Sequence, residues 1–281
     1  MTLLQRLNIS LPIIQGPMTG SDTPQLAAAV SQAGGLGFLG CGMRSPDAMA
    51  QAAAAVRAAT GKPFGMNLFV LETPRPDAAE VAAAMGRLAP LYAAFGITPA
   101  VPARWCEDFA AQFEALIAAR PAVASFTFGI LSAAQVRRIK DEAGSLVMGT
   151  ATTLAEAQAW AEAGADAVVA SGMEAGGHRG TFLGDWEGSL IGTLPLVPAC
   201  VDALKIPVIA AGGIMDGRGI AAAQALGAQA VQMGTAFLAC PESSIVPAQR
   251  AAMAAAQATD TRLTRIFSGR PARGILNHAM R

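Results

Sequence analysis

The stretch AGADAVVASGMEAGGHRG, residues 163–180, carries the pattern that decides the fold. It leads from the end of a helix through a Gly-Ala turn into an apolar run, and it stops in glycines beside one of the two histidines of the chain. QALGAQAVQMGT, residues 224–235, repeats the helix end, the turn and the run of AEAGADAVVASG, residues 161–172. Each copy is one β/α module, so the chain is expected to contain repeats of a single supersecondary unit.

Short apolar runs alternate with alanine-rich helical stretches over the whole chain, which predicts strand followed by helix. The predicted strands are 12–17, 36–40, 64–70, 123–129, 146–151, 167–171, 207–212 and 230–235. The helices predicted between them are 24–34, 47–60, 132–144, 154–164 and 219–227. Continuous apolar runs are typical of strands buried on both faces. An open doubly wound sheet also fits, but eight repeats favour the closed α/β architecture, the (β/α)8 TIM barrel.

Residues 72–122 interrupt this rhythm with six prolines and predict two helices, 77–95 and 104–119. We therefore expect one domain, residues 1–281, with a helical insertion at about 72–122, after the third strand. The insertion is expected to cap the mouth of the barrel.

Composition restricts the classes of partner. The chain is 53% hydrophobic and 14% charged and has a formal net charge of zero, which predicts neither nucleic acid nor an acidic membrane surface as partner. It shows no targeting segment and no membrane-spanning run, so we expect a cytoplasmic protein, monomeric or homodimeric. Its four cysteines lack CxxC spacing and predict reduced thiols, and two histidines make a metal site improbable.

Three predicted strands end in glycines, at Gly176-Gly177, Gly212-Gly213 and Gly234. Glycine lets the backbone approach a ligand, and amides at the start of a helix attract an anion. The run at 219–228 is strongly helix-forming, so the amides after Gly213 are expected at a helix N-terminus. In TIM barrels a phosphate often binds the loops after strands seven and eight. FMN, with one phosphate and one planar ring, fits such a site.

Two polar residues are candidates for chemistry at the same end. Asn67, near the end of the third strand, either hydrogen-bonds the ring or ribityl chain of a flavin or satisfies loop backbone. His178 is either a surface residue or a base or polarising donor, and its flanking glycines favour the functional role. Glu174 and Arg179 are interpreted as solvated or structural, with Arg179 also able to steer an anionic substrate.

The methionines are interpreted separately, because they occur in different settings. Met148 and Met233 lie within strands and are expected in the core, whereas Met18 follows the first strand and is expected against a flavin face. His278 has no comparable setting and is treated as incidental.

Eight motifs together resemble the nitronate monooxygenases, once called 2-nitropropane dioxygenases, and among them the bacterial class I enzymes. The match runs nearly from end to end. The motifs are PIIQGPM (12–18), AAAVSQAGGLGFLG (27–40), PFGMNLF (63–69), EAGGHRG (174–180), AAGGIMDGRG (210–219), QMGTAF (232–237), CPESS (240–244) and SGRPARGILN (268–277).

The resemblance implies a TIM barrel that holds non-covalent FMN and oxidises alkyl nitronates, such as propionate 3-nitronate, with O2 and without reduced nicotinamide. The catalytic histidine of the family matches His178. The glycine loops and the resemblance together predict the cofactor-binding positions Gly16, Pro17, Met18, Asn67, Ser171, Gly176, Gly177, Gly212, Gly213, Gln232, Met233, Gly234 and Thr235.

Two departures from the family keep other functions open. Ser171 stands where a close relative has a glutamine that touches the flavin. The family also continues beyond the position of Arg281 into a segment with active-site tyrosines and a lysine, whereas Tyr92 is the single tyrosine here. The alternatives are an NAD(P)H-dependent FMN reductase of the enoyl-reductase or quinone-reductase type, and a flavin-binding relative inactivated by loss of that segment.

Overall fold

The computed structural model describes residues 1–280, and its main element is a sheet of eight parallel strands. These are β1 (Ile13–Gln15), β2 (Gly37–Gly40), β3 (Phe64–Phe69), β4 (Val123–Thr127), β5 (Leu146–Ala151), β6 (Ala167–Ser171), β8 (Val208–Ala211) and β9 (Ala230–Met233). Their spatial order is β1-β9-β8-β6-β5-β4-β3-β2. The predicted TIM barrel is confirmed, and each of the eight predicted strands is present.

A side chain completes the closure of the barrel between β1 and β2. Their backbones meet at a single parallel bridge, Ile14 to Leu36. Beyond it the buried Gln15 amide replaces ladder hydrogen bonds: its Nε2 donates to the Phe38 oxygen at 3.0 Å, and its Oε1 accepts from the Phe38 nitrogen at 3.1 Å. The Phe38 backbone groups at this buried seam thereby keep hydrogen-bond partners.

Helices connect the strands and cover the barrel. They are α1 (Leu3–Leu7), α2 (Pro24–Gln32), α3 (Pro46–Ala59), α4 (Ala78–Ala94), α5 (Phe109–Ala119), α6 (Ala133–Arg138), α7 (Leu154–Glu162), α8 (Thr193–Ala203), α9 (Gly217–Ala225), α10 (Thr235–Leu238) and α11 (Pro247–Ala255). A π-helical segment, Ile139–Ala143, extends α6. Thr23, Ser45 and Thr153 cap α2, α3 and α7 by accepting a hydrogen bond from the third helical amide, so the sequence encodes these starts locally.

The barrel strands separate two apolar clusters. Phe38, Val123 and Met148 point inside the barrel, where Leu3 and Leu7 of α1 pack with them. Outside, the Trp160 ring of α7 stacks on the Phe126 ring of β4 with centroids 6.2 Å apart. The predicted core position of Met148 is confirmed.

The insertion is shorter than predicted. Phe113 and Leu116 of α5 are buried in the outer cluster, and Gln112 donates to the Cys41 and Arg44 oxygens, so α5 is a helix of the barrel wall. α4 has no buried residue. The predicted range 72–122 therefore includes a wall helix, because the proline-rich stretch before Phe109 hides where the regular rhythm resumes.

A second sheet, not predicted, forms outside the barrel. It contains β7 (Gly177–His178), β10 (Thr261–Thr264) and β11 (Ala272–Ile275). β10 and β11 are antiparallel, and β11 pairs with β7 so that Ala272 lies opposite His178. We call these three strands the hairpin sheet. Among residues 1–280, no helix has the length and apolar character needed to cross a membrane.

Candidate active site

His178 is held at the carboxyl end of the barrel by the hairpin sheet rather than by a barrel strand. Its Nε2 atom lies 2.6 Å from Ser268 Oγ, on the connection between β10 and β11. Removal of water from part of the ring, and to a smaller extent the Arg270 charge, lowers the pKa of His178 below its ordinary value of 6.5. The side chain is therefore an oriented, neutral imidazole at neutral pH.

Phe128 forms the wall against which this imidazole lies. The two rings meet edge to face with centroids 6.0 Å apart, and Phe69 supports Phe128 from another side at 4.8 Å. The φ angle of Phe128 is 72°, a left-handed conformation that a bulky residue rarely adopts. Such conformations persist where the surroundings fix them, and they concentrate at functional sites.

Arg179, next to His178, stabilises the loop between β6 and α8 with hydrogen bonds from its buried side chain. Its side chain is 2% exposed and donates to the oxygens of Ser171 (3.0 Å), Gly172 (2.6 Å) and Ser189 (2.8 Å). Its backbone nitrogen donates to Pro271 in the hairpin connection. Of the two interpretations of Arg179, the structural one is supported, because a guanidinium buried under the loop does not face an incoming substrate.

A buried carboxylate, Glu156 of α7, fastens the other side of the same loop. Its Oε2 accepts from the Thr152 backbone at 2.6 Å, and its Oε1 accepts from the Phe182 and Leu183 nitrogens at 2.5 and 2.9 Å. Sequence reasoning missed Glu156, because α7 has two other polar positions of similar type and nothing local marks the buried one.

The glycine loops predicted to bind a cofactor come together at this end. A Cβ placed on Gly176 would lie 3.1 Å from Thr235 Oγ1, and one on Gly234 would lie 3.9 Å from Met18 Sδ. Gly212 and Gly213 have φ angles of 106° and 70°, which only glycine adopts without strain. The loops after β6, β8, β9 and β1 therefore share one surface of closely approaching backbone.

The helix predicted to receive an anion after Gly213 is already capped. α9 begins at Gly217, and the Asp216 carboxylate accepts from the Arg218 and Gly219 nitrogens. The expectation that the amides after Gly213 form a helix N-terminus is therefore wrong. Asp216, an N-cap residue type in the right place, was the missed signal.

Open backbone donors occur instead on the loop itself and at α10. Within residues 1–280, the amides of Gly213, Thr235 and Ala236 have no hydrogen-bond acceptor, and no side chain caps α10. A short extra helix after the eighth strand is a usual component of TIM-barrel phosphate sites.

The loop after β1 is pinned by Asp22, a second residue that sequence reasoning missed. The buried Asp22 carboxylate accepts from the Met18 and Gly40 nitrogens, both at 2.8 Å, and from Arg44 at 3.2 Å. Burial is the largest influence on Asp22 and raises its pKa, while these hydrogen bonds oppose the rise. The Gly16 nitrogen donates to the Met233 oxygen at 2.7 Å, which joins β1 to β9.

The remaining predicted positions lie at the ends of strands or in loops next to the glycine loops after β6, β8, β9 and β1. Ser171 and Gln232 are the last and third residues of β6 and β9 and are partly buried, and Pro17 follows Gly16 in the β1 loop. Gly177 pairs with Arg273 in the hairpin sheet and has a φ angle of 79°. The side chain of Met233 is 7% exposed and belongs to the outer cluster, so its predicted core position is confirmed.

Asn67 belongs to a polar layer across three strands. Its Nδ2 donates to Ser125 Oγ at 2.8 Å and approaches Thr127 Oγ1 at 3.3 Å, and Thr127 Oγ1 lies 3.4 Å from Thr150 Oγ1. Its Oδ1 accepts no hydrogen bond from a described residue. The interpretation that Asn67 satisfies loop backbone is wrong, because its partners are side chains of neighbouring strands.

This polar layer lies directly below the His178 loop. A Cβ on Gly180 would lie 2.9 Å from Thr127 Cγ2 and 3.3 Å from Thr150 Cγ2. His278, in contrast, lies in an exposed 3-10 turn, His278–Met280, and forms no side-chain hydrogen bond within the described residues.

Comparison with known proteins agrees with this geometry. The family model described as nitronate monooxygenase matches residues 1–281. The chain is similar to a nitronate monooxygenase of Paraburkholderia phytofirmans, at 44% identity over 98% of this chain and 76% of the relative. It is also similar to a nitronate monooxygenase of Pseudomonas aeruginosa, at 47% identity over 96% of this chain and 78% of the relative.

Two solved structures are similar over nearly the whole chain. A nitroalkane oxidase from Streptomyces ansochromogenes gives a TM-score of 0.89 at 43% identity, covering 99% of this chain and 80% of that one. FabK from Thermotoga maritima gives a TM-score of 0.76 at 35% identity, covering 98% of this chain and 74% of that one.

Proposed function

This chain belongs to the nitronate monooxygenase family and is an oxidoreductase, and from that premise we propose that it oxidises alkyl nitronates with O2 on a bound FMN. One observation carries the proposal. The hairpin sheet places an oriented imidazole, His178, on the same barrel end as converging glycine loops with open backbone donors.

The backbone donors and the glycines on this end fit FMN. The open amides of Gly213, Thr235 and Ala236 suit a phosphate, because backbone N–H groups bind anions without a side-chain cation. Gly16, Gly176 and Gly234 carry no side chain, so a planar ring could approach their backbone closely beside Met18. Asn67 Oδ1 is an acceptor for a ring N–H or a ribityl hydroxyl. Bound FMN supplies the redox centre that takes electrons from the substrate and returns them to oxygen.

His178 acts on the substrate through its second nitrogen. Ser268 engages Nε2, whereas Nδ1 has no partner among residues 1–280. A neutral imidazole at this position donates a hydrogen bond to a nitronate oxygen, or accepts the proton on carbon when the neutral nitroalkane is bound instead. The contact with the Phe128 ring and the backbone pairing of β7 hold the imidazole in place for either role.

Oxygen consumption tests the function. FMN-reconstituted protein is given propionate 3-nitronate without NADH, and rapid oxygen uptake is the expected result. No uptake from flavin-loaded protein overturns the proposal, and oxidation of NADH with a quinone or enoyl acceptor would assign the reductase alternative instead.

A matched pair of glycine variants tests the cofactor site. Gly213 and Gly144 both have a φ angle of 70°, but Gly144 lies on a helix end away from the barrel mouth. Gly213→Asp is expected to lose bound FMN, because it adds a carboxylate beside the phosphate donors and a Cβ 3.2 Å from Glu174 Cβ. Gly144→Asp imposes the same backbone strain and retains FMN, as measured by flavin absorbance after gel filtration. Equal flavin content would place the phosphate elsewhere.

A further inference from the structure

The hairpin segment 261–275 contains four arginines, and three of them are anchored to local groups. Arg262 donates to the Thr259 and Thr261 oxygens, Arg265 donates to the Gly269 oxygen at 2.8 Å, and Arg273 donates to the Met173 oxygen at 3.1 Å. Within residues 1–280, the Arg270 side chain forms no hydrogen bond and no ion pair with a carboxylate. Three of these guanidinium groups therefore stabilise the local fold, and the Arg270 guanidinium is available to a ligand.

Arg270 is placed rather than free in solution. Its guanidinium carbon lies 5.1 Å from the centroid of the Phe128 ring, the same ring that contacts His178. A guanidinium resting on an aromatic face keeps the N–H groups of its edge available for a ligand. Phe128 thus positions an imidazole and an uncommitted cation on one support.

No carboxylate of the site competes for this cation. Glu174 accepts from the Thr193 nitrogen and hydroxyl, and Glu156 accepts from the backbone of the loop beneath His178. Arg179, the other nearby arginine, is buried and donates to three carbonyl oxygens. The chemistry missing at Arg270 is a planar anion with two oxygens, which an arginine fork binds in a bidentate manner.

We propose that Arg270 is the specificity-determining residue for nitronates that carry a carboxylate at the end opposite to the nitronate group. The inference rests on the proposed function and deepens it. The nitronate group must reach the glycine loops at the barrel end, whereas Arg270 is exposed on the hairpin connection beside His178. A substrate lying between them presents its distal end to Arg270.

Two matched substrates and three variants test the assignment. Propionate 3-nitronate and propyl-1-nitronate differ in a carboxylate against a methyl group. In Arg270→Gln we expect the KM for propionate 3-nitronate to rise about tenfold, the cost of one charge-assisted hydrogen-bond pair at an accessible site. The KM for propyl-1-nitronate is expected to stay unchanged when both substrates are measured well above pH 6.5, where Arg270 no longer alters the protonation of His178. Arg270→Lys recovers part of the loss, and Arg262→Gln, on the same hairpin, changes neither substrate.

Equal effects of Arg270→Gln on both substrates, or no effect on either, overturn the assignment. A binding measurement separates this failure from failure of the proposed function. The His178 ring signals of the FMN-loaded protein are followed by NMR while propionate is added, and saturable shifts in the parent that are lost in Arg270→Gln support the carboxylate site even if no nitronate is oxidised. Identical responses of parent and variant exclude it.

Discussion

The barrel wall and the hairpin sheet differ in how deeply their strands are buried. The barrel strands are buried along nearly their whole length, whereas β7 is exposed and β10 and β11 are mostly half-buried. Yet His178 is placed by the weakly buried sheet, and the wall supplies only its support through Phe128 and Gly180. The buried wall and the proposed catalytic imidazole therefore lie in different parts of this molecule, and substitutions should separate stability from activity.

The largest effect is expected in the wall. Trp160→Ala removes a fully buried ring that packs on Phe126 and fits over Gly149, where a Cβ would lie 2.1 Å from the indole. We expect the free energy of unfolding to fall by about 4 kcal/mol, the usual cost of truncating a buried aromatic residue. Chemical denaturation measures it. Phe267→Ala, whose side chain is 51% exposed on the hairpin connection, is the matched control and is expected to change little. Similar losses of unfolding free energy in the two variants would show that the barrel wall and the hairpin sheet contribute equally to stability.

The joint between the two regions is expected to be next. Arg179→Met keeps most of the side-chain volume but leaves the Ser171, Gly172 and Ser189 oxygens without their donor. The expected loss is about 3 kcal/mol, since buried acceptors lose a charged partner. Hydrogen exchange should accelerate in residues 172–190 before the barrel strands respond. The exposed Arg262→Met is the control, and a uniform acceleration would contradict a local joint.

His178→Ala is expected to separate activity from stability. The ring is exposed, so unfolding and flavin content should stay near those of the parent. Loss of a positioned acid or base typically lowers kcat/KM by about 100-fold. Oxygen uptake with a nitronate measures it, and His278→Ala is the control. If His178→Ala retains full activity, His178 is not a catalytic residue.

The smallest effect is a shift in pH dependence. The pKa of His178 is below 6.5 in the folded protein, so between the two pKa values the unfolded chain binds the proton and the folded chain does not. Stability from this group is complete above pH 6.5 and falls as the pH drops below 6.5. The acidic limb of kcat/KM should likewise lie below pH 6.5, and Arg270→Gln should move it upward. An acidic limb of kcat/KM that lies above pH 6.5 and does not move in Arg270→Gln would contradict the environment assigned to His178.

Sequence patterns located the wall well because its strands are buried on both faces. All eight predicted strands end within two residues of the observed ends. The hairpin sheet escaped prediction because TRLT and ARGI, at 261–264 and 272–275, mix charged and apolar residues without a clean alternation. The partner of His178 was equally hidden, since Ser268 is 90 residues away in the chain. The glycine loops were recognised, but the cap of α9 at Asp216 is a local signal that was overlooked, and the contacts of Asp22 with Met18 and Gly40 depend on the fold.

The pairing of β7 with β11 also determines when His178 can be positioned during synthesis of the chain. His178 is made long before residues 261–275, so a ribosome-bound chain can assemble most of the barrel while the imidazole still lacks its strand and its serine. The emerging protein would then have a folded barrel without the oriented imidazole that the proposed function needs, and His178 would be positioned only when β11 docks. Cleavage in the exposed stretch that begins at Val246 would separate β10 and β11 from the barrel in the chain and so cut the covalent link to the partners of His178.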